Sequence, residues 1–162
     1  MKNNTINSGE FGAASNSGEF SAASNSGNGG SASNSGEFGS ASNSGKGGSA
    51  SNSGDEGFAS NSGYRGFASN SGDGGTASNS GKFGAAYSQG NESMAETSSE
   101  HSIAVVTGRE CRARGVIGSW LVLTERNYKW EIIAVKSLKV DGEEIKANTW
   151  YQLKDGKVLL AI

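Results

Sequence analysis

His101 is the single histidine of the chain and Cys111 its single cysteine, so a Ser-His-Asp or Cys-His nucleophile would have to use one of them. Neither is surrounded as such a site requires. Glu100-His101 falls at an exposed turn of the repeat described below, and Cys111 falls where that repeat wants a small residue, which predicts a structural thiol. One cysteine excludes an internal disulfide framework, and no paired-cysteine metal spacing exists. Gly27-x-Gly29-x-x-Ala32, Gly45-x-Gly47-x-x-Ala50 and Gly72-x-Gly74-x-x-Ala77 match the dinucleotide fingerprint formally. They are by-products of periodicity without a strand and helix around them. Calcium-binding nonapeptide repeats place aspartate regularly in Gly-rich turns, whereas the turn tips here carry it only at Asp55 and Asp73. No enzyme active site, cofactor or metal is expected.

The elements that hold these residues come from a strict period of nine. Units open with Asn-Ser-Gly at Asn7, Asn16, Asn25, Asn34, Asn43, Asn52, Asn61, Asn70 and Asn79, then continue in degenerate form from Ser88, Thr97 and Val106. The eighth position is alanine in all twelve units, from Ala14 to Ala113. Position three is glycine except at Ser99, and position six is Gly or Ser until Cys111. With 26 Gly, no Pro and 33% apolar residues, the composition alone would read as disorder, but a fixed period marks stacked repeats. Nine residues suffice for a short strand and a tight turn. Glycine at position three is expected to supply the permissive turn backbone, and positions four and five form a variable tip.

Alternation along the strand puts positions six, eight and one on one face, and that face is Gly/Ser, Ala, Asn. Three units per coil would enclose a space such residues cannot fill, whereas a flat roll of two units brings its sheets close together. The expectation is therefore an all-β fold, a β-solenoid of six coils, about 29 Å long at about 4.8 Å per coil. Residues 1–6 are read as an N-terminal tail and residues 7–114 as the solenoid. Like-charged tips then stack, at a cost of tenths of a kcal/mol for each exposed neighbour pair.

From residue 115 the composition turns β-branched, aromatic and charged. Val116–Thr124 and Trp130–Val140 read as strands. Asp141-Gly142 and Asp155-Gly156 are two-residue hairpin signals leading into Glu143–Lys154 and Lys157–Ile162. Residues 115–162 are thus read as a small antiparallel meander capping the stack, whose open end would otherwise invite aggregation. The net charge divides as −3 over residues 1–114 and +1 over 115–162, which argues against a nucleic-acid partner. Arg109, Arg112 and Arg114 near Trp120 are read as solvated junction surface. The polar start and the lack of a long apolar run predict neither secretion signal nor membrane span.

What remains is a contact surface. Two units per coil gather Glu37, Asp55, Glu56 and Asp73 on one margin and Lys46, Arg65 and Lys82 on the other. Phe38 and Phe83 lie at tips, Phe58 and Phe67 at position seven, and apolar residues in outward rows of a polar solenoid point to a protein partner or a homo-oligomer.

Ser102 to Gly115 resembles the Ser-x-Ala and Ala-x-Gly phrasing of trimeric autotransporter adhesin heads, which are β-rolls. The chain is more similar to a family of nonapeptide-repeat proteins of bacteriophages and prophages. That resemblance is carried by Gly118–Leu123, Lys139–Glu143 and Thr149–Lys157, with Asn-Ser-Gly here where relatives use Thr-Thr-Gly. It implies a phage or prophage origin, and hence a place in the host cytoplasm or in the particle. The expected function is a non-enzymatic binding protein acting by surface complementarity, such as an intracellular inhibitor of a host factor. The alternatives are an oligomeric structural or adhesive particle component and, through its Ser/Asn rows, an ice-binding protein.

Overall fold

The computed structural model describes residues 4–161, and no helix occurs among them. The odd strands β1 (Asn4–Asn7), β3 (Ala22–Asn25), β5 (Ser40–Asn43), β7 (Phe58–Asn61), β9 (Thr76–Asn79), β11 (Met94–Thr97) and β13 (Arg112–Gly115) stack in parallel as one sheet. The even strands β2 (Ala13–Asn16), β4 (Ser31–Asn34), β6 (Ser49–Asn52), β8 (Phe67–Asn70), β10 (Ala85–Ser88), β12 (Ile103–Val106) and β14 (Trp120–Arg126) form the other. Residues in register are eighteen apart, as in Asn4 with Ala22 and Ser40 with Phe58, so two units make one coil.

The roll has seven coils, one more than the repeats alone suggest. Strand β1 takes in Asn4, Thr5 and Ile6 from the segment read as a tail and pairs with β3, and Trp120–Arg126 continues the parallel stack on β12. The repeat therefore fades in sequence before the solenoid ends. Met1–Asn3 and Ile162 lie outside the described residues.

The cap is antiparallel, but it is built as two hairpin additions, one on each sheet, and not as a single meander. Strand β15 (Ile132–Lys139) pairs with β14, while β16 (Tyr151–Lys154) and β17 (Lys157–Leu160) extend the odd sheet from β13. Glu143 to Asn148 form the turn that crosses between the sheets, so only the last part of the expected Glu143–Lys154 strand exists. The reason is closure: both sheets end on an open edge, and each needs its own cover. One buried cluster runs from Ala59 through Leu121, Leu123 and Val140 to Tyr151 and Leu153, so cap and stack share a core.

The interior explains the unit. Position eight points inward as a column of alanines at most 1% exposed. Position one is an asparagine ladder. Asn61 Oδ1 accepts the amide hydrogen of Gly63 at 2.8 Å, and its Nδ2 donates to the carbonyl of Gly48, one coil below, at 2.9 Å. The same rung recurs from Asn25 to Asn79. Each asparagine thus forms its own turn and ties two coils, which satisfies buried polar groups that an apolar residue would leave bare.

Glycine at position three is required for a different reason from the one its sequence suggests. A Cβ on Gly27, Gly45 or Gly63 would overlap the carbonyl oxygen of the equivalent glycine one coil below. Position five, not position three, adopts the left-handed conformation, with φ between 50° and 57° at Phe20, Phe38, Glu56, Arg65 and Phe83.

Position six reciprocates position one. A Cβ on Gly66 would overlap the side chain of Asn61. Where the asparagine is replaced by Ser88, Thr97 and Val106, position six grows to Ser93, Ser102 and Cys111; the exception is Ser21, which stands beside an intact Asn16 and donates its Oγ hydrogen to Asn16 Oδ1 at 2.7 Å. Ser93 Oγ donates to Gly90 O at 2.7 Å, Ser102 Oγ to Gly81 O at 3.1 Å, and Cys111 Sγ to Gly90 O at 3.0 Å. Burial pushes the Cys111 thiol above its ordinary range, which disfavours the nucleophilic thiolate.

Candidate contact surface

The turn tips form two margins, because each tip amide bonds the carbonyl of the next tip on its own side. One ladder runs Phe20 to Glu37, Phe38 to Asp55, Glu56 to Asp73, Gly74 to Asn91 and Glu92 to Arg109. The other runs Phe11 to Asn28, Gly29 to Lys46, Gly47 to Tyr64 and Arg65 to Lys82. Glu37, Asp55, Glu56 and Asp73 thus share the acidic margin, opposite Lys46, Arg65 and Lys82.

On the acidic side, Phe20 and Phe38 stack with ring centroids 5.0 Å apart and planes 6° from parallel. Beyond them, Glu37, Asp55, Glu56, Asp73, Glu92 and Glu110 border a shallow depression of about 560 Å³ around Gly74, with Arg109 at its far end. Two of these carboxylates also hold the fold. Asp55 Oδ1 accepts the amide hydrogen of Asp73 at 2.9 Å, and Asp73 Oδ1 accepts that of Asn91 at 2.7 Å. Sequence reading treats such tips as freely variable; the aspartate side chain is short enough to staple its neighbour, and only coil stacking brings the neighbour there. Among the described residues no group of three His, Cys, Asp or Glu side chains could hold a metal ion.

The basic side is an aromatic and cationic ladder. Lys46 Nζ and the Arg65 guanidinium lie 5.7 and 5.4 Å from the centre of the Tyr64 ring. Phe83 meets Tyr64 edge-on at 5.6 Å, and His101 stacks on Phe83 at 5.8 Å. Such cation and ring contacts contribute about 0.5–1 kcal/mol at exposed sites.

The phenylalanines are not one row. Phe38 is on the acidic margin and Phe83 on the basic one, while Phe58 points out from the odd sheet and Phe67 from the even sheet. The arginines separate too. Arg109 is at a tip, whereas Arg112 and Arg114 lie over Trp150 at 5.7 and 4.4 Å, and Trp120 belongs to the opposite sheet. Arg114 is further engaged by Glu96 at 2.6 Å.

Fold and surface together define a thin β-solenoid of two nine-residue units per coil, with variable residues displayed on two margins and two faces. Comparison with protein-family models, curated proteins and solved structures finds no match.

Proposed function

We propose that this is a non-enzymatic binding protein of phage or prophage origin that recognises a protein partner by surface complementarity through its two margins. The observation that carries this reading is the backbone of the tips. Phe38, Arg65 and Phe83 hold left-handed φ values of 52°, 56° and 57°, a conformation costing a non-glycine residue roughly 1–2 kcal/mol. Gly29, Gly47 and Gly74 occupy the same position in other units at φ 65–69°, so glycine serves the fold there. Large side chains kept at a position that favours glycine are explained by what they touch, and the inference from strain to function runs in that direction.

The substitutions Phe38→Gly, Arg65→Gly and Phe83→Gly test it. Each should leave the melting temperature unchanged or raise it, since lost ring contacts and relieved strain are of similar size. Capture of a bacterial cytoplasmic protein on the wild type should be lost on the triple glycine variant. It should also weaken with salt, exposed charges being screened over a Debye length of about 8 Å at physiological ionic strength. Equal capture by both proteins would overturn the reading. A second reading, an oligomeric component of a phage particle, is favoured by opposite charges on opposite margins of one molecule, which allow copies to meet side by side. Finding the chain in purified virions would select it.

A further inference from the structure

Asn28 is the one asparagine of the chain followed by glycine. It stands at position four of its unit, on the basic margin, and both Asn28 and Gly29 are exposed. The ladder asparagines from Asn25 to Asn79 are buried, precede serine, and have both side-chain polar atoms engaged. Asn91, at position four on the other margin, precedes Glu92 and donates its Nδ2 to Asp73 at 3.1 Å. Asn127 precedes Tyr128 and is held through both Oδ1 and Nδ2. Asn28 Oδ1 accepts the amide hydrogen of Lys46, in the next coil, at 3.1 Å, while its Nδ2 makes no hydrogen bond among the described residues. The Gly29 amide donates to the Lys46 carbonyl at 2.9 Å, and Gly29 has φ 65°.

We propose that Asn28 is a site of spontaneous deamidation through a cyclic imide formed with Gly29. The Gly29 nitrogen gives its proton to solvent base and bonds to Asn28 Cγ, and the side-chain amide leaves as ammonia. Water then opens the ring at either carbonyl, so that amide and water become carboxylate and ammonium with no change of oxidation state. A side chain on the following residue crowds this attack, and glycine has none. The Gly29 bond to Lys46 must open first, and an exposed tip opens at far less cost than the whole domain. The folded chain therefore reacts more slowly than the unfolded one, but at Asn28 ahead of every other asparagine. The aspartate product has a precedent in the fold. At position four of the opposite margin, Asp55 Oδ1 accepts the amide of Asp73 at 2.9 Å and Asp73 Oδ1 that of Asn91 at 2.7 Å. Aspartate in place of Asn28 accepts the Lys46 amide in the same way with a charged, stronger oxygen, and sets an anion beside Lys46 on the basic margin. Ring opening to isoaspartate instead lengthens the backbone at a tip bonded to the next coil and breaks that rung. The chain thus carries a slow, one-way change of charge at one margin, whether or not the margins bind a partner.

Incubation of the full chain at mildly alkaline pH tests it, with peptide fragment spectra locating the change and anion-exchange chromatography following the intact protein. Asn28 should convert from amide to acid while Asn25 and Asn91 do not, and the intact chain should gain one negative charge. Gly29→Phe should slow the conversion at least about tenfold, which a barrier higher by about 1.4 kcal/mol suffices to give. The fold accommodates that ring, since Phe20 and Phe38 stack at 5.0 Å in consecutive coils and Phe11 lies one coil below Gly29. Asn28→Asp should melt at or above the wild-type temperature, as the Asp55 and Asp73 bonds require. An Asn28 that stays intact in the folded chain while the denatured chain converts fully overturns the proposal. So does conversion of the buried asparagines at the same rate, or a rate indifferent to Gly29→Phe. A lowered melting temperature for Asn28→Asp overturns the assignment of aspartate as a product the fold retains.

Discussion

Replacing Asn61 with alanine tests the asparagine ladder at its centre. Asn61 is fully buried, and the substitution leaves the amide hydrogen of Gly63, bonded at 2.8 Å to Oδ1, without a partner. An orphaned buried donor costs about 1–3 kcal/mol. The Gly48 carbonyl loses Nδ2 but keeps the amide of Phe67 at 3.1 Å, so that side contributes only a net hydrogen bond, about 1 kcal/mol. The sum, about 2–4 kcal/mol, is large beside the 5–15 kcal/mol typical of a domain. Chemical denaturation followed by circular dichroism measures it, with outward-facing Ser60→Ala as the neutral reference. The chain supplies its own compensation. Gly66→Ser alone forces a Cβ into Asn61 and should destabilise by about 1–3 kcal/mol. Asn61→Ser with Gly66→Ser reproduces the Ser88 and Ser93 pair and should be less damaging than the two single changes added together, a favourable coupling read from a double-mutant cycle. Strict additivity, or an Asn61→Ala variant as stable as Ser60→Ala, would refute the reasoning.

Two further outcomes follow from the interior and the cap. Ala68→Leu adds three carbons between Ala50 and Ala86, where the column is 0% exposed, and should lower stability by about 1–3 kcal/mol in thermal melts, while Lys46→Ser at an exposed tip should not. Asp141 Oδ1 accepts the amides of Glu143 and Ile145 at 2.8 and 3.0 Å, which holds its carboxyl below the usual range. A depressed folded-state pKa gives stability that is present above the unfolded value and lost as pH falls through the folded one. Hydrogen exchange at the Glu143 and Ile145 amides should therefore lose protection in acid in the wild type, and Asp141→Asn should flatten that dependence.

The roll was legible because its period is a packing statement. Alanine in every eighth position can face only a narrow interior, and that requirement selected two units per coil without knowledge of any contact. The two charged margins followed from the coil by counting. What stayed hidden needed the third dimension. Glycine at position three looks the same in sequence whether it serves a left-handed turn or a close approach, and only stacking distinguishes them. Trp120 to Arg126 carries no repeat signature because leucines have replaced the alanine and asparagine of the interior, yet its backbone lies on β12 as any unit would. The cap strands were found where alternation was strong, in Ile132 to Lys139, and overextended through Glu143 to Asn148, where a turn crosses from one sheet to the other. Phe58 and Phe67 share a position in the unit and so read as one row, but adjacent units belong to opposite sheets.

A solenoid of this kind confines where specificity can be written. Positions one, three, six and eight are fixed by the ladder, the close approach and the alanine column, so a change there alters stability first. Only positions four, five, seven, nine and two remain free, and they emerge on two margins and two faces. From β2 to β6 the faces are serine and alanine, and the margins already hold Phe38 and the first acids. From β8 the even face becomes largely apolar and from β11 the odd face becomes charged, by substitutions at positions seven and nine that leave the inward alanines untouched. Variation is thus concentrated where it costs the fold least.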